Sequence, residues 1–184
     1  MSSADDGFEI IGGRVVAQTP FLSLEELSLR SPDGEIAART VVRVGGAVAL
    51  VPLDGDDVVL IRQYRTALDR AVLELPAGKL DVPGEDPEEC ARRELAEEVG
   101  FAAGTLERLV YYYTSPGFTD EDIVVYLATD LTEVEMNRMG PEERSAEIVR
   151  VHVDDIAGLL PEIDDSKTVI GLQALLLRRA GIVA

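Results

Sequence analysis

The sequence contains few of the residues on which several classes of protein depend. Its 184 residues include one Cys, one His and no Trp. A single cysteine cannot form an internal disulfide, so a disulfide-stapled fold is excluded. With one His and one Cys, neither a serine triad nor a cysteine triad has support in the sequence. We interpret Cys90 as a small packing residue and His152, which alternates with apolar residues, as a structural residue.

Basic residues are also scarce. The chain has 17 Lys and Arg residues against 35 Asp and Glu residues, which gives a formal net charge of -18. Affinity for nucleic acid comes largely from clustered Lys and Arg, so this balance argues against a nucleic-acid partner. A small phosphorylated ligand is compatible with the charge if metal ions bridge it to the acidic side chains.

Long apolar runs are missing as well. No stretch of about 18 apolar residues is present, which predicts no membrane partner. The start of the chain, MSSADDGFEI, lacks the basic region and apolar stretch of a secretion signal. These absences predict a cytoplasmic protein. The length suits one domain with at most a small appendage, and a hydrophobic content of 46% is enough for a packed core.

What the sequence does contain is a series of strand-like segments with helical segments among them. Two β-type segments flank the turn-forming SPDG near the N-terminus, which predicts a hairpin-rich sheet there. Buried-type strands and a closing amphipathic helix follow: AVALVPL, VVLIRQY, VLELPAG, LERLVYYY, DIVVYLAT, EIVRVHV and SKTVIGLQALLLRRAG. The order predicts an α/β fold in which helices cover a mixed sheet.

A polar segment between two of these strands, Glu133 to Glu147, exceeds the usual length of a connection. Loops of about 12 to 15 residues without structure of their own tend to be functional or mobile. The alternative is a solvated surface loop.

An acidic helix is predicted in the middle of the chain. Asp86 can cap it, Pro87 suits its first position, and Gly100 ends it. Ala91, Leu95 and Val99 then form an apolar stripe that can pack against the sheet.

Three glutamates gather on the neighbouring face of this helix. Glu94 and Glu98 are a like-charge pair at i, i+4, and Arg93 is placed four residues before Glu97. A divalent cation would remove the repulsion, and hard carboxylate oxygens suit Mg²⁺ or Mn²⁺. The residues alone leave two interpretations open, a metal site and a solvated acidic face.

The run GKLDVPGEDPEECARRELAEEVGF, Gly78 to Phe101, resembles the signature of the Nudix hydrolases, G-x5-E-x7-R-E-U-x-E-E-x-G-U with U apolar. It departs from that signature in one place, where six residues instead of five separate Gly78 from Glu85. The resemblance implies an α/β/α sandwich on a mixed sheet. It also implies a metal site with Glu94 and Glu98 as main ligands, the carbonyl of Ala77 as a further ligand, and Glu97 as a residue that shares a metal or bonds Arg93. Glu85 would be a loop anchor or an outer ligand.

Further features resemble the ADP-ribose pyrophosphatase branch of that family. Pro116 lies sixteen residues after Gly100, and the QYR and ELPAG segments are similar too. The likeness implies an N-terminal β-sheet extension over residues 1–45 that forms a homodimer, and a hydrolase domain over residues 46–184. It implies that Pro116 contacts the substrate, that Phe21 stacks on adenine, and that Arg39 and Arg65 contact the diphosphate or terminal ribose. Arg65 could instead be a structural ion-pair residue, and Phe21 a core residue.

The resemblance implies Mg²⁺-dependent hydrolysis of ADP-ribose to AMP and ribose 5-phosphate, with Mn²⁺ as a substitute. The general base would come from the long loop, which offers Glu142, Glu143 and Glu147; Glu143 matches the loop position best, with Glu147 as base or extra metal ligand. Alternative substrates are another nucleoside diphosphate sugar or a dinucleotide such as NADH or a diadenosine polyphosphate. A regulator that binds ADP-ribose without cutting it is a further alternative, against which the intact helix glutamates argue.

Overall fold

The computed structural model describes residues 6–182, and they fall into two compact units. The first unit contains residues 6–46 together with Tyr113–Glu121. The second contains Ala47–Tyr112 together with residues 122–182. Each unit is described by itself below.

The first unit is built on a three-stranded antiparallel sheet in the order β1-β2-β3. Its strands are β1 (Glu9–Gln18), β2 (Ser23–Arg30) and β3 (Ile36–Arg43). The Thr19 hydroxyl oxygen accepts hydrogen bonds from the backbone N–H groups of Phe21 and Leu22, which fixes the turn between β1 and β2. Gly34 closes the next turn with a φ of 89°, a conformation that glycine adopts without a steric penalty.

The second unit contains a seven-stranded mixed sheet. Its main path runs β10-β5-β4-β9-β8, with β6 paired to β5 and β7 paired to β4. β4 pairs with β9 in parallel and with β5 antiparallel, so the sheet is mixed as predicted. The strands are β4 (Ala47–Asp54), β5 (Asp57–Arg65), β6 (Arg70–Glu74), β7 (Ala77–Lys79), β8 (Phe101–Tyr113), β9 (Asp122–Glu133) and β10 (Glu147–His152).

Four α-helices accompany this sheet: α1 (Pro87–Val99), α2 (Pro141–Arg144), α3 (Ile156–Leu159) and α4 (Ser166–Arg179), with single 3₁₀ turns at Val153–Asp155 and Leu160–Glu162. Side chains alternate across β4, so Val48 and Leu50 pack with α1 while Ala49 and Val51 pack on the opposite face with α4. The unit is therefore an α/β/α sandwich, which confirms the predicted fold.

Two predicted segments differ from the structure. VLELPAG was expected to be a strand that runs into a loop. It instead contributes to two strands, β6 and β7, which are separated at Pro76, a residue with no N–H to donate. The Pro76 carbonyl instead accepts from the N–H of Leu50. The long segment between β9 and β10 is not wholly irregular, since it contains the four-residue α2. Among residues 6–182, no helix is long and apolar enough to cross a membrane.

Candidate active site

Helix α1 begins and ends where its sequence predicts. The carboxylate of Asp86 accepts hydrogen bonds from the N–H groups of Glu88 and Glu89 at 2.8 and 3.0 Å, and Glu89 bonds back to the N–H of Asp86. Gly100 ends the helix in the left-handed conformation, with a φ of 72°. This capping box fixes the first turn and therefore the direction in which each later side chain points.

The acidic face of α1 borders a cleft of about 530 Å³. The opposite stripe of the helix, Ala91, Leu95 and Val99, is buried in the core as predicted. Residues from β5, β7, the loop after β7, α1 and the segment before β10 line the cleft: Gln63, Arg65, Ala77, Gly78, Lys79, Asp81, Val82, Arg93, Glu94, Glu97, Glu98, Met139 and Glu143. One concave site thus gathers residues that are up to 80 positions apart in the chain.

Glu98 is the most deeply placed carboxylate of this site. Only 7% of the residue is exposed, and one carboxylate oxygen accepts the N–H of Ala77 at 2.9 Å. Burial, helped by the neighbouring charges of Glu94 and Glu143, raises the pKa of Glu98 to about 8. Burial also raises the pKa of Glu94, even though Arg93 favours its ionised form. These raised pKa values reflect above all the burial of both carboxylates, with a smaller contribution from neighbouring negative charge.

Arg93 has more partners than the sequence pattern predicted. The helical spacing pointed to Glu97 alone, and that contact is present at 3.3 Å. Shorter bonds join Arg93 to Glu94 at 2.6 Å and to both carboxylate oxygens of Glu85 at 2.9 and 3.0 Å. The bonds from Arg93 lower the pKa of Glu85, which fits a loop anchor. The expectation of a single partner was therefore wrong, because Glu85 reaches Arg93 from outside the helix.

Gly78 lets the backbone of β7 approach the carboxylate of Glu94. A Cβ atom at position 78 would lie 1.9 Å from the Cδ of Glu94 and 2.0 Å from its Oε1. No real Cβ tolerates such distances, so any other residue here would displace the Glu94 carboxylate. The glycine of the sequence signature therefore shapes the place that Glu94 occupies.

The donor set fits a hard divalent cation. Glu94, Glu97 and Glu98 offer carboxylate oxygens, and the backbone carbonyl of Ala77 lies on the same cleft. A cation would also compensate the burial and the neighbouring negative charge that disfavour the ionised forms of Glu94 and Glu98. Within residues 6–182, no three side chains of metal-ligating type already converge, as Glu94 bonds Arg93 and Glu98 bonds the N–H of Ala77. The bond from Arg93 uses one oxygen of Glu94, Oε1.

The two candidates for general base lie in different places. Glu143, on α2, lines the cleft and accepts the N–H of Met139 at 2.7 Å. Glu147 is the first residue of β10, is exposed, and pairs across the sheet with Arg62. It is not among the residues that line the cleft.

Arg65 is both an ion-pair residue and a cleft residue. Its Nε and Nη2 donate to the two carboxylate oxygens of Glu74 at 2.6 Å each, and its side chain lines the cleft. Glu74, only 2% exposed, also bonds Lys167 of α4. Burial works to raise the pKa of Glu74, but Arg65 and Lys167 together outweigh it and lower the pKa.

The remaining predicted substrate residues belong to the first unit. Phe21 lies in the turn between β1 and β2 and is 65% exposed, which excludes a core position within that unit. Arg39 is on β3 and donates to the carbonyl of Ala38. Pro116 lies on an exposed turn before β9. Their predicted substrate contacts stay predictions.

Comparison with known proteins identifies the family to which the chain belongs. The model of the NUDIX domain matches residues 43–170. The ADP-ribose pyrophosphatase of Bacillus subtilis is 37% identical over 175 residues, which are 94% of this chain and 91% of that protein. A methanol dehydrogenase activator of Bacillus methanolicus is 38% identical with the same coverage. A crystal structure of an ADP compounds hydrolase superposes with a TM-score of 0.85 at 28% identity, covering 96% of this chain and 97% of the other. The chain therefore belongs to the Nudix family.

Proposed function

We propose that this protein hydrolyses the diphosphate bond of ADP-ribose to AMP and ribose 5-phosphate, with Mg²⁺ as its cofactor and Mn²⁺ as a substitute. The observation that carries the proposal is the cleft that brings Glu94, Glu97, Glu98 and Glu143 together beside Arg65. The similarity to an ADP-ribose pyrophosphatase and to an ADP compounds hydrolase supports the choice of substrate.

The carboxylates at the base of the cleft would hold the metal. Glu94 and Glu98 are the main ligands, the carbonyl of Ala77 is a further one, and Glu97 either shares a metal or stays bonded to Arg93. When bound, divalent ions withdraw charge from phosphate oxygens and lower the pKa of a coordinated water. Arg93 then stays bonded to Glu85, which keeps the start of α1 and the loop before it in place.

Glu143 is the proposed general base. It faces the cleft, and its bond to the N–H of Met139 orients the carboxylate. It would accept a proton from the attacking water as the new P–O bond forms and the bond to the leaving phosphate breaks. A general base contributes about 10² to 10⁴ in rate. Glu147, at the start of β10, is the second candidate.

Arg65 supplies positive charge in the same cleft. Glu74 fixes two of its guanidinium nitrogens, and the bond to Glu74 raises the pKa of Arg65. A guanidinium held in one orientation loses little conformational entropy when an anion binds. We propose that Arg65 contacts the diphosphate or the terminal ribose, and that Phe21, Arg39 and Pro116 are further substrate-binding residues.

We further propose a cytoplasmic homodimer. The sheet of the first unit exposes several apolar side chains, among them Phe8, Ile10, Val15, Val16 and Ile36. Large exposed apolar side chains on one small sheet support an interaction site there. We propose two parts of the chain, an extension over residues 1–45 and a hydrolase domain over residues 46–184. Sedimentation of the purified protein would show a dimer, and a monomer at micromolar concentration would reject this part.

A second function has one observation in its favour, the similarity to a protein named as a methanol dehydrogenase activator. A regulator that binds ADP-ribose without cutting it would not need Glu94, Glu98 and Glu143 around one cleft. Hydrolysis of another nucleoside diphosphate sugar or of a dinucleotide would need them, and these remain the alternative substrates.

One experiment separates these functions. The protein is incubated with Mg²⁺ and a panel of nucleoside diphosphate sugars and dinucleotides in ¹⁸O water, and the products are identified by mass spectrometry. We expect AMP and ribose 5-phosphate from ADP-ribose at the highest kcat/KM, with ¹⁸O on one product. Faster hydrolysis of another compound would replace the substrate, and binding of ADP-ribose without any hydrolysis would favour the regulator.

A further inference from the structure

Arg138 lies in the segment between β9 and α2, and the sequence analysis assigned it no role. Its Nε donates to the backbone carbonyl of Glu98 at 2.8 Å, and its Nη1 donates to the backbone carbonyl of Ala146 at 2.5 Å. The first carbonyl belongs to the last turn of α1, and the second lies just before β10. One side chain therefore joins the metal-binding helix to the far end of the loop that carries Glu143.

One of these two bonds holds together the ends of the loop that carries Glu143, residues 138–146. Arg138 begins the segment, and its side chain bonds the carbonyl of Ala146 at the other end. The two ends are therefore held together, with α2 and Glu143 between them. Inside this closed segment, Glu143 accepts the N–H of Met139 and its carbonyl accepts the N–H of Ala146. The position of Glu143 relative to Glu98 is thus set through Arg138.

The end of α1 makes this contact favourable. The last turn of α1 contains no basic residue, although its carbonyl groups carry partial negative charge. The Arg138 guanidinium, bonded to the Glu98 carbonyl, supplies the positive charge that the last turn of α1 lacks. A guanidinium is suited to the task because its rigid fork can bond two carbonyl groups at once, which a lysine ammonium on its flexible stem does less well.

The surroundings of Arg138 lie directly beside the reaction site. A narrow recess is lined by Ile61, Gln63, Glu98, Arg138, Glu143 and Ala146. Gln63 is 4% exposed and lines both this recess and the cleft. Its side-chain oxygen and the Nη2 of Arg138 are a complementary acceptor and donor, and neither bonds another of the described residues.

We propose that Arg138 is a positioning residue that fixes the Glu143 loop against the end of the metal-binding helix. The proposal rests on the proposed function insofar as Glu143 is the base. Arg138 contacts carbonyl groups and not substrate, so its loss affects the placement of Glu143 and leaves the affinity of the cleft for substrate largely intact.

The test uses Arg138→Gln and Arg138→Lys, with Arg144→Gln as the matched control, since Arg144 is an exposed arginine of the same loop. Amide hydrogen exchange of the metal-free protein is the first measurement. We expect exchange over residues 139–146 to be at least about tenfold faster in Arg138→Gln, with α1 unchanged. Arg138→Lys, which keeps the charge, should lie between that variant and the wild type, and the control should match the wild type.

Steady-state kinetics with ADP-ribose is the second measurement. We expect kcat to fall at least about tenfold in Arg138→Gln while KM stays within about threefold. Unchanged exchange in the loop would overturn the proposal, as would exchange that rises equally in α1. A raised KM at constant kcat would overturn it too, because Arg138 would then bind substrate. If Arg138→Gln does not fold, Arg138→Lys decides by the same criteria. Absence of hydrolysis by the wild type would reject the proposed function, while the exchange data would still decide the role of Arg138.

Discussion

Gly78 lies so close to Glu94 that a Cβ atom at position 78 would come within 1.9 Å of the Glu94 carboxyl carbon. The two residues belong to β7 and α1, and their contact brings a backbone segment and a carboxylate to the base of one cleft. The contact explains why a glycine precedes the acidic helix, and it gives the first prediction.

Gly78→Ala should displace the Glu94 carboxylate. Because the clash involves the end of a flexible side chain, we expect a moderate loss of stability and a large loss of metal-dependent hydrolysis. The control is Gly158→Ala, since a Cβ at Gly158 meets nothing within 4 Å. Thermal unfolding and a Mg²⁺ titration of activity are the measurements. Wild-type activity in Gly78→Ala would contradict the role given to Glu94.

Glu143→Gln should lower kcat by about 10² or more with little change in KM, because a general base acts in the transition state. Glu147→Gln should have a much smaller effect, because Glu147 is exposed at the start of β10 and does not line the cleft. Steady-state kinetics of both variants tests this. The reverse pattern would assign the base to Glu147.

The metal-free protein should show an unusual dependence of stability on pH. Burial and the charges of Glu94 and Glu143 raise the pKa of Glu98 from its ordinary 4.5 to about 8. The folded protein then holds a proton that the unfolded chain has released, so stability decreases as pH rises from about 4.5 to about 8. Glu98→Gln does not titrate and should escape this loss. The free energy of unfolding is measured by denaturant unfolding in EDTA at several pH values. If it changes with pH in the same way in the wild type and in Glu98→Gln, the prediction is refuted.

Replacing Lys167 should lower the free energy of unfolding more than replacing an exposed basic residue. It bonds the buried carboxylate of Glu74 and lies 3.0 Å from Asp165. Arg65 still bonds the Glu74 carboxylate when Lys167 is removed, so the buried charge is not left alone. We therefore expect Lys167→Met to destabilise by about 1.5–3 kcal/mol, the usual range for a lost hydrogen bond to a charged group. Arg70→Met removes an exposed ion pair with Asp164 and should cost about 1 kcal/mol or less. Chemical denaturation compares the two, and equal losses would show that Lys167 contributes no more than a surface residue.

Local patterns predicted α1 well, because its capping box, apolar stripe and glutamates depend on residues three or four positions apart. The buried-type strand segments, with helical segments among them, predicted the mixed sheet from local composition and order along the chain. The contacts that the sequence did not reveal join distant residues: Lys167 with Glu74, and Arg138 with Glu98. Periodicity carries no information about which distant residues meet. The choice between Glu143 and Glu147 also depended on α2, a helix of four residues that is too short to produce a periodic pattern.

The most direct test of the account is a titration with Mn²⁺ followed by electron paramagnetic resonance, which observes the free ion without relying on turnover. The wild type is compared with a Glu94→Gln/Glu98→Gln double variant whose fold is verified by circular dichroism. We expect the wild type to bind Mn²⁺, Mg²⁺ to compete for the same site, and the double variant to lose this binding. Equal Mn²⁺ affinity in the two proteins would contradict the assignment of the metal to the acidic face of α1.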